Sequence, residues 1–144
     1  MPSDTVSREV CLTIPARAEY VGLLRLALSA VSRLTALSTD DVADLKLAVD
    51  EAARRWVPPA PTSDGHTIEL TEEPLAPPSS ERLAVRYGLR PTRLVLDLNC
   101  RGPEVMPLSE RQLSLAILGA TADECHAEPG RIRLVKHLEP VSLV

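Results

Sequence analysis

Hydrophobic positions along this chain change period several times, and each change marks an element. In residues 8 to 14, REVCLTI, the positions Val10, Leu12 and Ile14 share one face, with Arg8, Cys11 and Thr13 among the others. That is the period of a half-buried strand, and Pro15 ends it. From Ala18 to Leu34 the apolar residues Val21, Leu24, Leu28 and Val31 recur at spacings of three and four, which predicts an amphipathic helix with Arg25 and Arg33 beside its stripe. A second helix has a marked start. Ser38 can cap the backbone NH of Asp41, Asp40 and Asp41 occupy the first turn, where the helix dipole favours anions, and Leu37 can staple to Val42. Its core face is Val42, Leu45, Val49, Ala52 and Trp56, and Pro58 with Pro59 stops it.

Residues 58 to 80 hold six of the 13 prolines, with Ser63, Asp64 and Gly65 between them, and read as a Pro-rich loop in which His66 to Glu72 is a candidate edge strand. Arg82 to Gly88 and Arg93 to Asn99 then alternate as the two arms of a β-hairpin, with Leu94, Leu96 and Leu98 toward the core. A third helix is predicted from Ser109, with Gln112 completing a capping box and Leu108 and Leu113 in the staple positions, running to about Glu124. Gly130 turns the chain into a last strand, Arg131 to Leu138. Strand, helix, helix, hairpin, helix, strand is the order of a two-layer α/β sandwich of the α+β class. Its mostly antiparallel sheet carries the helices on one face, in a single domain over 1–144. The expected core unites Leu24, Leu28, Val49, Ala52, Leu96 and Ile117.

Composition narrows the function. With 144 residues, 44% hydrophobic and 25% charged, the chain can bury roughly two thirds of its unfolded surface, which excludes a disordered or collagen-like protein. The opening MPSDTVSREV has no basic, then apolar, leader pattern, and the apolar runs near Val21 to Val31 and Leu113 to Ala122 fall short of the ~20 residues of a membrane span. A cytoplasmic protein without a membrane partner is expected. A net charge of -4, no Phe, one Trp and two Tyr offer little to attract phosphate or stack on bases, so nucleic acid is not an expected partner. Cys11, Cys100 and Cys125 are odd in number and lack CxxC spacing, which suggests reduced thiols and no metal site. Cys125 beside His126 reads as structural.

The second predicted helix contains KLAVDEAARRWV (Lys46 to Val57), which resembles the N-box helix of the anti-sigma regulatory factors. These are serine-protein kinases of the gyrase, histidine kinase and MutL (GHKL) ATPase superfamily. Four further segments agree in order and spacing: IPARAEYVGLLRLAL (Ile14 to Leu28), the hairpin RLAVRYGLRPTRLVLDL (Arg82 to Leu98), TADE (Thr121 to Glu124) and RLVKHL (Arg133 to Leu138). The resemblance covers residues 8 to 138. It implies the histidine kinase-like ATPase (Bergerat) fold. It also implies a protein that holds a sigma factor from RNA polymerase, is countered by an anti-anti-sigma factor and, in active members, phosphorylates that antagonist on serine with Mg-ATP. A homodimer is left open. Fourteen of the 16 basic residues are Arg, a bias that fits a GC-rich bacterial genome.

The same resemblance assigns site residues and shows where the pattern breaks. Glu51 matches the carboxylate that serves the family as base, while Arg55 stands where an Asn binds magnesium. An arginine cannot ligate a cation, and its spacing from Glu51 allows an i,i+4 contact of ~0.5 kcal/mol. Cys100 occupies the place of the Asp that reads the adenine amino group, Gly102 the first glycine after it, and Gln112, Leu113 and Ser114 the glycine-rich phosphate lid. A thiol is a poor acceptor. Glu51 therefore reads as a solvated, vestigial carboxylate, and the expectation is an anti-sigma pseudokinase without cofactor. The alternative is an active ATP-dependent serine-protein kinase carrying Mg-ATP. Arg25 matches a first-helix arginine through which family members contact partners; laying its stem over the apolar stripe is the other reading.

Overall fold

In the computed structural model, which describes residues 8–59 and 81–138, alternation becomes a five-stranded sheet. Its strands are β1 (Arg8–Pro15), β2 (Arg82–Leu89), β3 (Arg93–Cys100), β4 (Glu124–Glu128) and β5 (Arg131–His137). They lie in the order β1-β2-β3-β5-β4, every neighbouring pair antiparallel. Side chains two apart share a face, so the register Val85↔Leu98, Tyr87↔Leu96, Leu96↔Leu134 and Leu98↔Ile132 gathers one continuous apolar surface. All of these residues are buried.

Three helices cover that surface: α1 (Val21–Ser32), entered through a 3-10 turn at Ala18–Tyr20, α2 (Thr39–Ala53) and α3 (Leu108–Thr121). Helix α2 packs between the other two. Each buries the stripe its spacing set apart: Leu24, Leu28 and Val31 from α1, Leu45, Val49 and Ala52 from α2, and Leu118 from α3. Fully burying one such side chain is worth about 1.5–3 kcal/mol. Tyr87 is buried among them because its hydroxyl donates to the Leu24 carbonyl at 2.9 Å, which satisfies the one polar atom it takes from water. The Ser38 cap forms as its sequence requires, its Oγ accepting from the Asp41 NH at 3.1 Å. Lys136, from β5, reaches Asp41 at 3.4 Å and ties that helix start to the sheet.

Four expectations are corrected. Helix α3 starts at Leu108, with Pro107 in the capping position and no side-chain cap. Leu108 and Leu113 are 77% and 66% exposed, so no staple closes over it. Proline presets the first turn's φ and removes an NH that would need a cap, which makes Ser109 unnecessary. The core residue of α3 is Leu118, Ile117 being half-buried, a rotation of one position about the helix. Helix α2 ends at Ala53, several residues before the prolines, and Arg54 to Trp56 continue as tighter turns.

Finally, residues expected at the end of the third helix form β4. Ala122 is already extended, the Asp123 carboxylate accepts from the His137 NH at 2.6 Å, and Gly130, at φ +78, makes the turn that lays β4 against β5. The segment ECHAE has low strand propensity and is held by its partner strand. The candidate strand His66 to Glu72, with most of the 58–80 loop, lies outside the described residues. Among the described residues no helix is long and apolar enough to cross a membrane.

Candidate functional site

Among the described residues, the C-terminal end of α2 holds two of the three buried charged side chains, Asp97 being the third. Glu51 and Arg55 are 8% and 7% exposed. Glu51 is thus a buried carboxylate and not the solvated one expected from sequence. Its partner is Arg54, whose Nη1 donates to both carboxylate oxygens at 3.0 and 3.1 Å while Nη2 donates to Glu110 of α3 at 3.1 Å. The expected contact between Glu51 and Arg55 is replaced. Because the helix ends at Ala53, Arg55 leaves the helical spacing and points to the connection between β3 and α3, where its Nη1 donates to Glu104 at 3.2 Å.

The second oxygen of Glu104 takes Arg111 at 3.6 Å. The backbone joins the same contact: the Val105 NH donates to the Arg55 carbonyl at 2.8 Å, and Met106 is buried beside it at 4% exposure. Three arginines and three carboxylates from α2, the 101–107 connection and the start of α3 thus form two chains of alternating charge. Glu51 and Arg55 are their buried members, Arg54 and Glu110 being half exposed, and burying such a charge costs several kcal/mol unless it is paired. Pairing is not complete. Among the described residues Arg55 Nη2, Ser114 Oγ and the indole NH of Trp56, itself 3% exposed, are buried without a hydrogen-bond partner.

Cys100 and Gly102 occupy a different neighbourhood, at the end of β3. Cys100 is buried, and its backbone NH donates to the Gly130 carbonyl at 3.1 Å. Burial pushes its thiol pKa up, and the nearby charge of Glu81 adds to that against a backbone hydrogen bond at Gly102, so the sulfur stays protonated. A Cβ on Gly102 would stand 2.9 Å from Cγ of Glu81. Glycine is needed there to seat the Glu81 side chain. Of the lid positions, Ser114 is buried, whereas Gln112 and Leu113 are exposed on α3. Cys125 sits on the helix-facing side of β4, where burial raises its pKa against the opposing charge of Arg55, and His126 points to the other face.

Arg25 lies on the opposite side of α2. Its Nη1 meets Asp50 at 3.3 Å, with half of the arginine side chain in solvent. Burial raises the Asp50 pKa, Arg25 opposes that rise, and Oδ1 has no partner among the described residues. Both residues line a hollow of about 280 Å³ floored by Val21, Ala53, Val57 and Pro58. Beyond it the outer side of α1 shows Leu23, Leu26 and, past its end, Leu34, which are 43%, 66% and 59% exposed. Sequence reasoning missed Arg54, Glu104, Glu110, Arg111 and Asp50. The available signal was the alternation of charge sign between ARR at 53–55 and the pairs that follow at 104 and 110–111.

Three helices over a five-stranded antiparallel sheet form an α+β architecture that agrees with the GHKL ATPase fold. The crystal structure of the RsbU and RsbW domains of Rv1364c from Mycobacterium tuberculosis shares it: the match has a TM-score of 0.58 at 15% identity over 95% of this chain and 34% of that one. The serine-protein kinase RsbW of Bacillus licheniformis is 31% identical over 132 residues, 79% of this chain and 74% of that protein. The RsbW of Bacillus cereus is 40% identical over a shorter stretch of 59 residues, 41% of this chain and 37% of that protein. No family model matches the chain. The chain belongs to the serine-protein kinase RsbW family of anti-sigma regulatory factors.

Proposed function

We propose that this protein is an anti-sigma factor that sequesters a sigma factor, is countered by an anti-anti-sigma partner, and no longer uses Mg-ATP. The observation that carries the loss of nucleotide is the Arg55–Glu104 ion pair with its backbone clamp at Val105. The residue at the magnesium position is a buried cation held by the chain's own carboxylate, which does not fit a divalent metal with its phosphates. Glu51 supports the same reading: both of its carboxylate oxygens are taken up by Arg54 Nη1, so neither is held out toward an attacking hydroxyl. The alternative, an active serine-protein kinase, rests on the retention of Glu51. Calorimetry with Mg-ATP at millimolar nucleotide is expected to show no saturable heat, and tight binding by the unmodified protein would restore the kinase reading. Because the lid positions also lack glycine, Arg55→Asn combined with Cys100→Asp should not recover binding.

The partner surface in this reading is α1. Its outward leucines and the hollow beside Arg25 offer apolar area next to a forked cation, the composition from which protein interfaces draw their strongest contacts. Arg25→Ala is expected to weaken binding of the cognate sigma factor by about 1–3 kcal/mol. Titration of the two purified proteins measures this, and unchanged affinity would remove Arg25 from the interface. Sedimentation of the same mixture reads the stoichiometry and with it the homodimer left open by the sequence.

A further inference from the structure

The sheet face that carries no helix among the described residues is not neutral. At its end a hollow of about 510 Å³ opens between Glu81, Arg82, Ala84, Asn99, Arg101 and Gly130. The register explains why it exists. Ala84 pairs with Asn99, and Leu83 with Cys100, the last pair of the hairpin, and beyond it Arg82 and Arg101 both line the hollow. Two small residues, Ala84 and Gly130, leave the floor low while two long arginines raise the rim. The like charges of Arg82 and Arg101 repel across the hollow, and both of these side chains are exposed without an ion pair among the described residues. Glu81 brings one carboxylate to the same rim. Along the same face Arg131 and Arg133 share the single Asp97, at 3.3 and 2.8 Å, with Glu128 acting on Arg133 from β4. Arg86, opposite Asp97, pairs with Glu9 at 3.7 Å, so at this end of the sheet Arg82 and Arg101 are the arginines without an ion pair among the described residues, in a chain whose net charge is -4.

We infer that this hollow is a docking site for an acidic segment of a protein partner, with a carboxylate of that segment set between Arg82 and Arg101 and the Asn99 amide beside it. Charge complementarity selects the sign of the ligand, and the arginine fork suits a carboxylate. Shape selects the class. An open hollow on a sheet face cannot enclose a small molecule on most of its surface, as small-ligand sites do, but it can receive a side chain from a chain lying across it. Nucleic acid is disfavoured by the net charge and by the lack of an exposed aromatic on this face, Tyr87 and Trp56 both being buried on the helical side. The site lies on the layer opposite α1, so a partner seated here would leave the proposed sigma-factor surface open.

An eight-residue glutamate peptide, titrated into the isotopically labelled protein at low salt and followed by amide NMR, tests the inference. The expected result is saturable shifts confined to Ala84, Asn99, Arg101, Gly130 and their neighbours, weakened at least tenfold by Arg82→Glu with Arg101→Glu and unaffected by Arg25→Ala. That last control separates this site from the α1 surface, so either reading can fail alone. Equal shifts from sodium sulfate at the same concentration would reduce the site to one for free anions and overturn the inference. Stronger shifts at these amides from a single-stranded oligonucleotide than from the peptide, or no shifts from the peptide at all, would also overturn it. Should the double charge reversal fail to fold, Arg82→Gln with Arg101→Gln gives the same readout with a milder change.

Discussion

The two flanks of α2 are built on opposite plans. Toward α3, the buried Arg55 and Glu51 are paired, Arg55 with Glu104 and Glu51 through both oxygens with the half-exposed Arg54, which also reaches Glu110, and the Val105 NH braces the Arg55 carbonyl. Toward α1, one exposed pair, Arg25 with Asp50, borders an apolar hollow that remains open. In the function proposed above, the flank of α2 toward α3 holds the protein together, while the flank beside α1 keeps surface to offer. Since the same turn of helix serves both flanks, they differ through their neighbours. The 101–107 connection contributes Glu104 and Met106 to one side, and α1 brings Arg25 and Val21 to the other.

Substitutions can break this contrast. The largest effect is expected from Glu104→Ala, which leaves Arg55 buried without its counter-charge; removing one partner of a buried pair costs about 3–5 kcal/mol. A loss below about 1 kcal/mol in urea unfolding would show that the α3 flank is as loosely held as the α1 flank. Val49→Ala, in the fully buried middle of α2, should cost about 1–3 kcal/mol, mostly by leaving a cavity, and sets the scale for a change that touches neither flank. Arg25→Ala should change stability by about 1 kcal/mol or less, because an exposed pair is screened by solvent. A collapsed melt for this variant would place Arg25 among the residues that build the fold.

Acid sharpens the comparison by sign. Burial pulls the Asp97 pKa up, but the hydrogen bonds and charges of Arg133 and Arg131 outweigh it and hold the carboxyl below its ordinary value. A group depressed in the folded state contributes stability that is complete above its unfolded pKa and is lost as pH falls through the folded one. Asp50 runs the other way. Its folded pKa is raised by burial against the pull of Arg25, so its ionised form costs stability at neutral pH, and that cost is relieved as pH falls through the raised value toward the unfolded one. Between about pH 6 and about pH 3, Asp97→Asn should therefore flatten the acid loss of stability and Asp50→Asn should steepen it. Unfolding midpoints across that range measure both, and parallel curves for the two variants would refute the opposition.

Much of the architecture was legible because it depends on periodicity over local stretches. Leu24 and Leu28, Leu45 and Val49, and Leu94, Leu96 and Leu98 each declare a face without reference to any other segment. The Ser38 cap is equally local. Strand β4 escaped notice because ECHAE owes its extended form to β5 and the Gly130 turn, a relation between segments. The site divides along the same line. Arg55 at a metal position is visible in the residue order, but the partners that give it a role, Glu104 and Arg111, lie 49 and 56 residues away and are set by where α3 packs. Glu51 was misjudged for a similar reason, since an acidic residue on a helix carries no local mark of burial. The hollow at Arg82 and Arg101 forms past the last pair of the hairpin, where two arginines distant in sequence line one space.

Trp56 gives the molecule its own optical gauge. It is the one tryptophan in the chain, it sits directly after Arg55, and its indole is shielded from water with the ring NH lacking an acceptor among the described residues. Blue-shifted emission is the signature of an indole in such surroundings, and with no second tryptophan the signal comes from a single address. It stands between the closed flank, through Arg55, and the open one, through Val57. The colour of this one fluorophore therefore reports whether a partner arriving at α1 is felt across α2, with no label added and no residue changed.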